Sequence, residues 1–297
     1  MRFFSLAFLV FIACTDGNKT LPNSTGENSE VIFVVDDALW ENSVDSLAKN
    51  TFGATIEGIS QAESLFRIVQ ISHSEFKSIL KTHTNIVIVS KGVKKSSQKD
   101  KWATGQFVAQ LNWENNPQKL LKELIELRTI FVVKEVKSIK NSFEKSSQKN
   151  IEKTLLSNFG IELTVPKEYQ IIKNDSTLFW ANYDPPKSDE IKNIFTFSFI
   201  PKTANLQAEV LYKTDSIFAK YLVGAKEGSY ARIEPAYPPY YFENTYRGLW
   251  KLEHGFMGGP VLIKTYFVKN KIVVNVGIVF APQSRKRKFI KEFEAIL

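Results

Sequence analysis

Cysteine is almost absent from this chain of 297 residues, which contains a single thiol, at Cys14. One cysteine excludes any disulfide within the chain, and it excludes zinc sites built from several thiolates. The fold must therefore be held together by its hydrophobic core. A hydrophobic content of 43%, with 13% aromatic residues, is ample for a core in a chain of this length.

Histidine is also scarce, with only His73, His83 and His254. A zinc site needs three or four converging ligands, and the chain has no HExxH or CxxC motif, so we predict no metal. We interpret His73 as a helix-start residue and His83 as a turn residue. The sequence also lacks the GxSxG motif of α/β-hydrolases and the glycine-rich loops that bind nucleotides. We therefore predict no cofactor, and the sequence favours a protein that is not an enzyme.

Long hydrophobic runs are missing except at the start of the chain. Arg2 precedes eleven residues without charge, 3 to 13, a signal-peptide pattern that is too short for a bilayer span of about 20 residues. Phe11-Ile12-Ala13-Cys14 resembles the lipobox of bacterial lipoproteins. The resemblance implies that residues 1–14 form a lipoprotein signal peptide and that Cys14 carries palmitate or a similar acyl chain. The alternative is that Cys14 is buried in an N-terminal core strand.

The segment that follows the thiol is polar. Residues 15 to 30 contain one large apolar side chain, Leu21, among Asn, Ser, Thr, Gly and charged residues. Such a composition cannot bury enough apolar surface to order itself. We therefore predict a flexible tether over residues 15–30.

The charge balance is basic. Lys and Arg number 39 and Asp and Glu 31, giving a formal net charge of +8. In an exported protein this favours an anionic polymer or anionic lipid headgroups over nucleic acid as a neighbour. The predicted partners are thus the membrane, through the N-terminal lipid, and an envelope protein or anionic polymer. Basic residues cluster at 91–101 and 285–291, and we interpret both clusters as solvated faces.

The pattern of apolar residues predicts an α+β fold. Residues 31–115 are predicted to form a mixed α/β domain, with strands at 30–41, 65–71, 85–90 and 102–113 and helices at 43–50 and 73–81. Residues 116–159 predict long linking helices, of which the first starts at Pro117 and the second, 151–158, ends at Gly160.

Residues 160–297 predict an α+β domain with an antiparallel sheet. Strands are expected at 161–172, 177–183 and 193–199, a helix at 205–221, and a hairpin of 261–268 with 271–280. An amphipathic helix closes the chain. Residues 240–252 alternate between apolar and polar side chains, which predicts one half-buried strand.

Two aspartates, Asp36 and Asp37, close the apolar run of the first predicted strand, within residues 30–41. Strand ends are where α/β proteins commonly place catalytic carboxylates or cation ligands. The alternative is that one aspartate caps the next helical turn and the other is solvated.

A second candidate region comprises strand 240–252 and the glycine-rich segment after it. Arg247 has a planar fork that suits a carboxylate or phosphate, either a ligand's or that of Glu243. Glu253 with His254 is a weaker catalytic candidate. The glycines allow a binding loop beneath Trp250, or else a wide turn with Phe256 and Met257 in the core. The predicted binding residues are Tyr240, Arg247, Trp250, Gly258 and Gly259.

Several segments resemble domain-of-unknown-function family 4837, a family of bacterial envelope lipoproteins common in the Bacteroidota. They are the lipobox, EVIFVVDDALWE (30–41), GIELTVPKEY (160–169), EGSYARIE (227–234) and RGLWKLEHGFMGGPVL (247–262). The resemblance implies a lipid-anchored protein of the cell envelope, at the outer membrane and facing the periplasm. It implies no activity. Glu253-His254-Gly255 departs from the family's pattern, which argues against His254 as a catalyst.

Three functional hypotheses follow. The first is a non-catalytic, membrane-anchored envelope lipoprotein that binds a partner protein or an envelope polymer. The second is an envelope hydrolase that uses Asp36 and Asp37, or Glu253 with His254. The third is lipid or glycan binding in a cleft between the two domains.

Overall fold

The computed structural model describes residues 20–59 and 61–297. The predicted signal peptide and Cys14 lie outside the described residues. Two sheets with flanking helices confirm the predicted α+β fold. Among the described helices, none has both the length and the apolar character that a bilayer span requires.

The first sheet has the strand order β2-β1-β3-β5-β4, and all its neighbouring pairs are parallel except β4 with β5. Its interior strand β1 buries alternate residues on both faces, because Val31 and Phe33 enter one core and Ile32 and Val34 the other. The strands are β1 Glu30–Val34, β2 Arg67–Ile71, β3 Asn85–Ser90, β4 Ser96–Lys99 and β5 Phe107–Asn112.

Helices cover one face of the first sheet. The chain after β1 forms α1 (Asp37–Leu39), a π-helical turn (Trp40–Val44) and α2 (Asp45–Thr51). Helix α3 (Pro117–Glu144) starts at the predicted proline, and the Asn116 side chain caps it. Leu124 and Phe131 of α3 are buried in the first core.

Helix α4 (Lys149–Phe159) turns the chain toward the second sheet. Gly160 ends the helix in the left-handed conformation, with φ of 72°, as predicted. Leu155 and Phe159 pack in the second core. Helix α4 therefore belongs to the second core, whereas α3 is buried mainly in the first and reaches the second through Phe143.

The second sheet is antiparallel, with the order β10-β11-β12-β13-β8-β7-β6, and β9 pairs with β11. Helices α4 and α6 (Arg287–Ile296) pack on one face and α5 (Leu206–Tyr221) on the other. The strands are β6 Gln170–Asn174, β7 Leu178–Tyr183, β8 Ile191–Phe199, β9 Ala231–Ile233, β10 Tyr240–Phe242, β11 Thr245–Leu252, β12 Gly258–Val268 and β13 Lys271–Phe280.

The single strand predicted over 240–252 is wrong. Glu243 and Asn244 both have positive φ, 46° and 61°, which is the backbone of a tight two-residue hairpin turn. Strand β10 therefore folds back on β11, so that Tyr240 pairs with Arg247. The side-chain alternation on which the prediction rested crosses a turn.

Several other predicted segments differ from the structure. The strand expected at 30–41 ends at Val34, and the strand expected at 102–113 begins at Phe107. The helix expected at 73–81 is a 3₁₀ helix, Ser78–Thr82, because Ser78 has φ of 48°. The strand expected at 161–172 begins only at Gln170 and continues to Asn174 as β6. The second half of the predicted tether is ordered, since the Ser24 N–H donates to Thr104 O at 3.0 Å and the Thr25 N–H to Thr82 O at 2.9 Å. Backbone hydrogen bonds thus order this segment without much apolar burial.

Candidate functional sites

The parallel strands of the first sheet bring three distant residues together. Strands β1, β2 and β3 run in the same direction, with β1 in the middle. Their carboxyl ends therefore meet at one edge of the sheet. Asp36 lies two residues after β1, His73 lies two residues after β2, and Ser90 is the last residue of β3.

Asp36, His73 and Ser90 form a hydrogen-bonded row. The Nδ1 atom of His73 lies 2.9 Å from Oδ1 of Asp36. Its other ring nitrogen, Nε2, lies 2.7 Å from Oγ of Ser90. Both distances are those of good hydrogen bonds. We refer to these three residues as the polar row.

The two aspartates have different roles in the structure. Asp36 occupies the N-cap position of α1, yet its side chain makes no capping hydrogen bond and instead faces His73. Asp37 Oδ1 accepts a hydrogen bond of 2.9 Å from Gln70 Nε2, which also donates to Val35 O. Asp37 thus links β1 to β2, and the helix-cap alternative does not describe Asp36.

The polar row lies at the protein surface. The side chain of Asp36 is 72% exposed and that of His73 is 35% exposed. Beyond Ser90 the chain turns at Lys91 and Gly92, and Gly92 has φ of 70°. A Cβ placed on Gly92 would meet no heavy atom within 4 Å. The turn two residues beyond Ser90 is therefore uncrowded on the side where this Cβ would point.

The second sheet contains a pocket of about 280 Å³. It lies beyond the end of α5, where the following segment, Leu222 to Gly224, passes over strands β7, β8, β11 and β13. We refer to it as the aromatic pocket. Its principal lining residues are Trp180, Asn193, Tyr221, Trp250, Met257 and Phe280.

The aromatic pocket pairs apolar walls with amide groups. Asn193 Oδ1 accepts hydrogen bonds from Trp180 Nε1 at 2.8 Å and from Asn182 Nδ2 at 3.1 Å. None of its described lining residues carries a formal charge. Phe256 stands nearby with 90% of its surface exposed, and its ring meets Phe280 edge-on at 6.2 Å.

The glycine-rich segment has a structural role in β12. A Cβ on Gly259 would lie 2.2 Å from Val279 O, and one on Gly258 would lie 2.8 Å from Trp250 O. Both glycines thus allow the strands to approach closely. Trp250 is buried and donates to Val279 O at 3.1 Å. Phe256 is exposed instead of filling the core, and Met257 lines the pocket.

Arg247 lies on the face of β11 opposite to Trp250. Its Nη2 atom donates to Glu294 Oε1 of α6 at 2.6 Å, and both side chains are largely buried. Burial opposes the ionisation of Glu294, but Lys291 and Arg247 outweigh it and hold the pKa of Glu294 below its ordinary value. The guanidinium is therefore bound to Glu294 of α6 and not to Glu243. Because Arg247 and Trp250 lie on opposite faces of β11, they do not form one site.

The remaining predicted site residues are also dispersed. Tyr240 is exposed on the edge strand β10. The carboxylate of Glu253 lies 3.2 Å from Lys251 and 3.5 Å from Arg232. His254 is an exposed residue with φ of 56°. The geometry thus gives Glu253 cationic partners in place of a catalytic histidine.

The C-terminal basic cluster is only partly solvated. Lys286, Arg287 and Lys291 are buried, because α6 packs against the loop before β2 and against α3. Glu63 of that loop accepts hydrogen bonds from the N–H groups of Lys286 and Arg287. A groove of about 430 Å³ beside this contact is lined by the arginines Arg67, Arg285 and Arg287.

Sequence reasoning singled out Asp36 and Trp250 but missed His73 and Ser90. No motif connects Asp36, His73 and Ser90, because they are separated by 37 and 17 residues. A signal was nevertheless present: each residue lies at the end of a predicted strand. If those strands are parallel, their ends share one edge of the sheet.

Two family models match the chain. A domain of unknown function (DUF4837) matches residues 148–297, and another (DUF8532) matches residues 24–153. The matches meet at the start of α4, where the chain passes from the first core to the second. Neither description names an activity.

A search of curated proteins finds no match to the chain. Among solved structures, the lipid transfer and protein localization domain of human StarD13 (DLC2) is 10% identical, with 50% of this chain and 91% of that chain covered. The TM-score of 0.20 is too low to indicate a common fold.

Proposed function

We propose that this chain, which belongs to the domain-of-unknown-function family 4837, is a lipid-anchored envelope protein that binds a neutral sugar of an envelope polymer in its aromatic pocket. The composition of the pocket carries this proposal. Aromatic side chains and two asparagines surround a space in which no described lining residue is charged.

The described lining residues carry no formal charge, which argues against an ionic ligand in this pocket. A carboxylate or phosphate that enters a largely apolar site loses its hydration and needs a cationic partner there. The described lining residues offer none. The part of the ligand that enters the pocket is therefore neutral.

Shape and hydrogen bonding favour a sugar over a purely apolar group. A sugar ring has an apolar face that can lie on Trp180 or Phe256, and hydroxyl groups that can pair with Asn182 or Asn193. The volume of about 280 Å³ lies at the small end of ligand sites. This volume suits one ring of a polymer whose remainder stays outside.

The test is a titration of the purified protein with neutral oligosaccharides of glucose and of N-acetylglucosamine. Binding is monitored by calorimetry and by tryptophan fluorescence. We expect saturable binding of at least one series. Phe256→Ala should weaken it about fivefold, since an aromatic contact contributes about 1 kcal/mol. The melting temperature should not change, because Phe256 is exposed.

Phe267→Ala is the matched control. Phe256 does not itself line the pocket, but its ring packs against Phe280, which does. Phe267, 71% exposed on β12, neither lines the pocket nor pairs with one of its aromatic rings among the described residues, so its removal should leave the affinity unchanged. Absence of saturable binding to any neutral oligosaccharide would refute the proposal. Equal weakening by the two variants would place the ligand elsewhere.

The anchor is a separate part of the proposal. Cys14 supplies the thiol, and two or more acyl chains hold a protein stably at a membrane. Cells fed labelled palmitate should incorporate label into the wild-type protein, while the Cys14→Ser variant should stay unlabelled and leave the membrane fraction. Label retained by the variant would contradict anchoring through Cys14.

A second candidate, binding of an anionic polymer, is favoured by the arginine-lined groove. Arg287 Nη1 donates to Ser64 O at 2.8 Å, and Arg67 pairs with Glu30 at 3.2 Å, while the exposed Arg285 adds a further positive charge. Binding of a polyanion that weakens with salt and with Arg285→Ala, while neutral sugars do not bind, would favour this function over the first.

A further inference from the structure

The geometry points to an acyl-transfer site at the polar row, where we propose that Ser90 is the nucleophile, His73 the general base and Asp36 the residue that positions His73. The substrate class is a carboxylic ester. The site lies on the first sheet and does not depend on the aromatic pocket.

The order of the contacts supports these roles. A serine nucleophile is activated by a histidine nitrogen, and the other nitrogen of that ring is held by a carboxylate. In this structure the carboxylate of Asp36 faces Nδ1 of His73 and the hydroxyl of Ser90 faces Nε2. When Nδ1 carries the ring proton, it donates a hydrogen bond to Asp36. The lone pair of Nε2 then accepts a hydrogen bond from the Ser90 hydroxyl.

The backbone holds the nucleophile in a defined position. Ser90 ends a buried parallel strand, and its carbonyl accepts a hydrogen bond of 2.9 Å from the Trp113 N–H. Val35 N–H likewise donates to Ile71 O at 3.0 Å, just before Asp36 and His73. Groups fixed on sheet ends need little reorganisation before reaction, which is the condition for efficient catalysis.

The turn after Ser90 offers a place for the ester. The turn at Gly92, two residues beyond Ser90, is uncrowded, and the backbone N–H of the residue after a serine nucleophile commonly stabilises the oxyanion. We assign that role to the N–H groups of Lys91 and Gly92.

The exposure of Asp36 restricts the substrate class. Water screens the attraction between a solvated carboxylate and an imidazolium, so this row activates serine less than a buried triad does. Esters have better leaving groups than amides and need less activation. The polar row therefore suits esters and not peptide bonds.

The reaction balances without any further co-reactant. Ser90 Oγ bonds to the acyl carbon and its proton passes to His73 Nε2. The carbon–oxygen bond of the ester breaks, and the leaving alcohol takes that proton. Water then attacks the acyl-serine, again through His73, and releases the carboxylic acid and the free serine.

The test uses the full-length protein, a fluorophosphonate probe and p-nitrophenyl acetate. We expect the probe to label one serine, identified as Ser90 by mass spectrometry of the labelled peptide. Ser90→Ala should lose the label. His73→Ala should slow labelling and ester hydrolysis about 100-fold or more, the typical contribution of a general base.

The role of Asp36 is tested by kinetic constants that a merely structural role would not change. Asp36→Asn should lower kcat for the ester while KM stays unchanged, and Asp36→Glu should recover part of the loss. Ser74→Ala is the control, because Ser74 is an exposed serine next to His73 whose hydroxyl bonds to Ser72. This variant should be labelled like the wild type.

Several outcomes would overturn the inference. Wild-type labelling no faster than that of the heat-denatured protein would show that Ser90 is not activated. Retention of the label by Ser90→Ala would place the reactive group elsewhere. If His73→Ala melts at a lower temperature, His73→Gln replaces it, and normal labelling of a folded His73 variant would also refute the proposal.

Discussion

Both faces of the first sheet are buried, by α2 and α3 on one side and by Phe76, Leu80 and Trp102 on the other. One face of the second sheet, in contrast, is covered by α5 only as far as Tyr221. In the first sheet the edge at the strand ends is open, and polar loop residues meet there. In the second, apolar side chains of the sheet face remain accessible. The arrangement of the strands thus decides which chemistry each sheet presents.

The two sheets also differ in how they treat charge. The polar row is solvated, whereas the contact between α3, α6 and β11 buries Glu135, Arg247, Lys291 and Glu294. Charges at the open edge are available to a ligand. Charges in the buried contact are committed to each other, so changing them should alter stability and not binding.

The largest stability effect is expected for Arg247→Ala. Loss of the guanidinium leaves Glu294 buried with Lys291 alone, and removing one partner of a buried pair costs about 3 kcal/mol. Lys251→Ala, on the same face of β11, should cost at most about 1 kcal/mol, because its partners are more exposed. Denaturant unfolding at pH 7 measures the loss of stability in both variants. Equal losses would contradict a structural role for the ion pair of Arg247 with Glu294.

A smaller effect is expected for Glu63→Ala. The Glu63 carboxylate accepts from two N–H groups at the start of α6, at 2.6 and 3.1 Å, and loss of such a cap costs about 1 to 2 kcal/mol. Glu57→Ala is the control, an exposed glutamate in the same loop. The melting temperature of the Glu63 variant should fall while that of the control should not. The same melting temperature for both variants would contradict the capping role.

The third change, Glu135→Gln, should stabilise the protein. Burial raises the pKa of Glu135, and its Oε2 has no hydrogen-bond partner among the described residues. A raised pKa means that ionisation opposes folding. The gain should therefore be absent below the ordinary value of 4.5 and should develop as the pH rises through the pKa of the folded protein.

Glu294 should make stability depend on pH in the opposite direction to Glu135. Its lowered pKa means that its ionised form stabilises the fold, so that contribution is present above the ordinary value of 4.5 and lost as the pH falls through the lowered pKa. Melting curves from pH 3 to pH 8 of wild type and Glu135→Gln distinguish the two carboxylates. A variant that is less stable at pH 7 would show that Glu135 is needed in its charged form.

Elements with a long apolar pattern could be predicted from the sequence. Strand β3 and the start of α3 at Pro117 agree with their predicted bounds, because local hydrophobic periodicity and capping determine them. The hairpin turn at 243–244 could not be predicted from the sequence, since a glutamate rarely adopts positive φ. Asn244 was the one local signal of a turn.

Sites assembled from distant segments were less accessible to sequence reasoning. The polar row depends on strands β1, β2 and β3 being parallel neighbours, and periodicity does not determine that order. The aromatic pocket depends on where α5 ends above the sheet. The buried partner of Arg247, on α6, likewise follows from tertiary packing and not from the sequence around Arg247.

The two proposed sites lie on different sheets, so each should respond to one of two variants measured in two assays. Full-length Ser90→Ala and Phe256→Ala are each examined for fluorophosphonate labelling and for binding of neutral oligosaccharides. We predict that Ser90→Ala loses only the labelling and that Phe256→Ala loses only affinity. Loss of both properties in either folded variant, or absence of both in the wild type, would contradict the account.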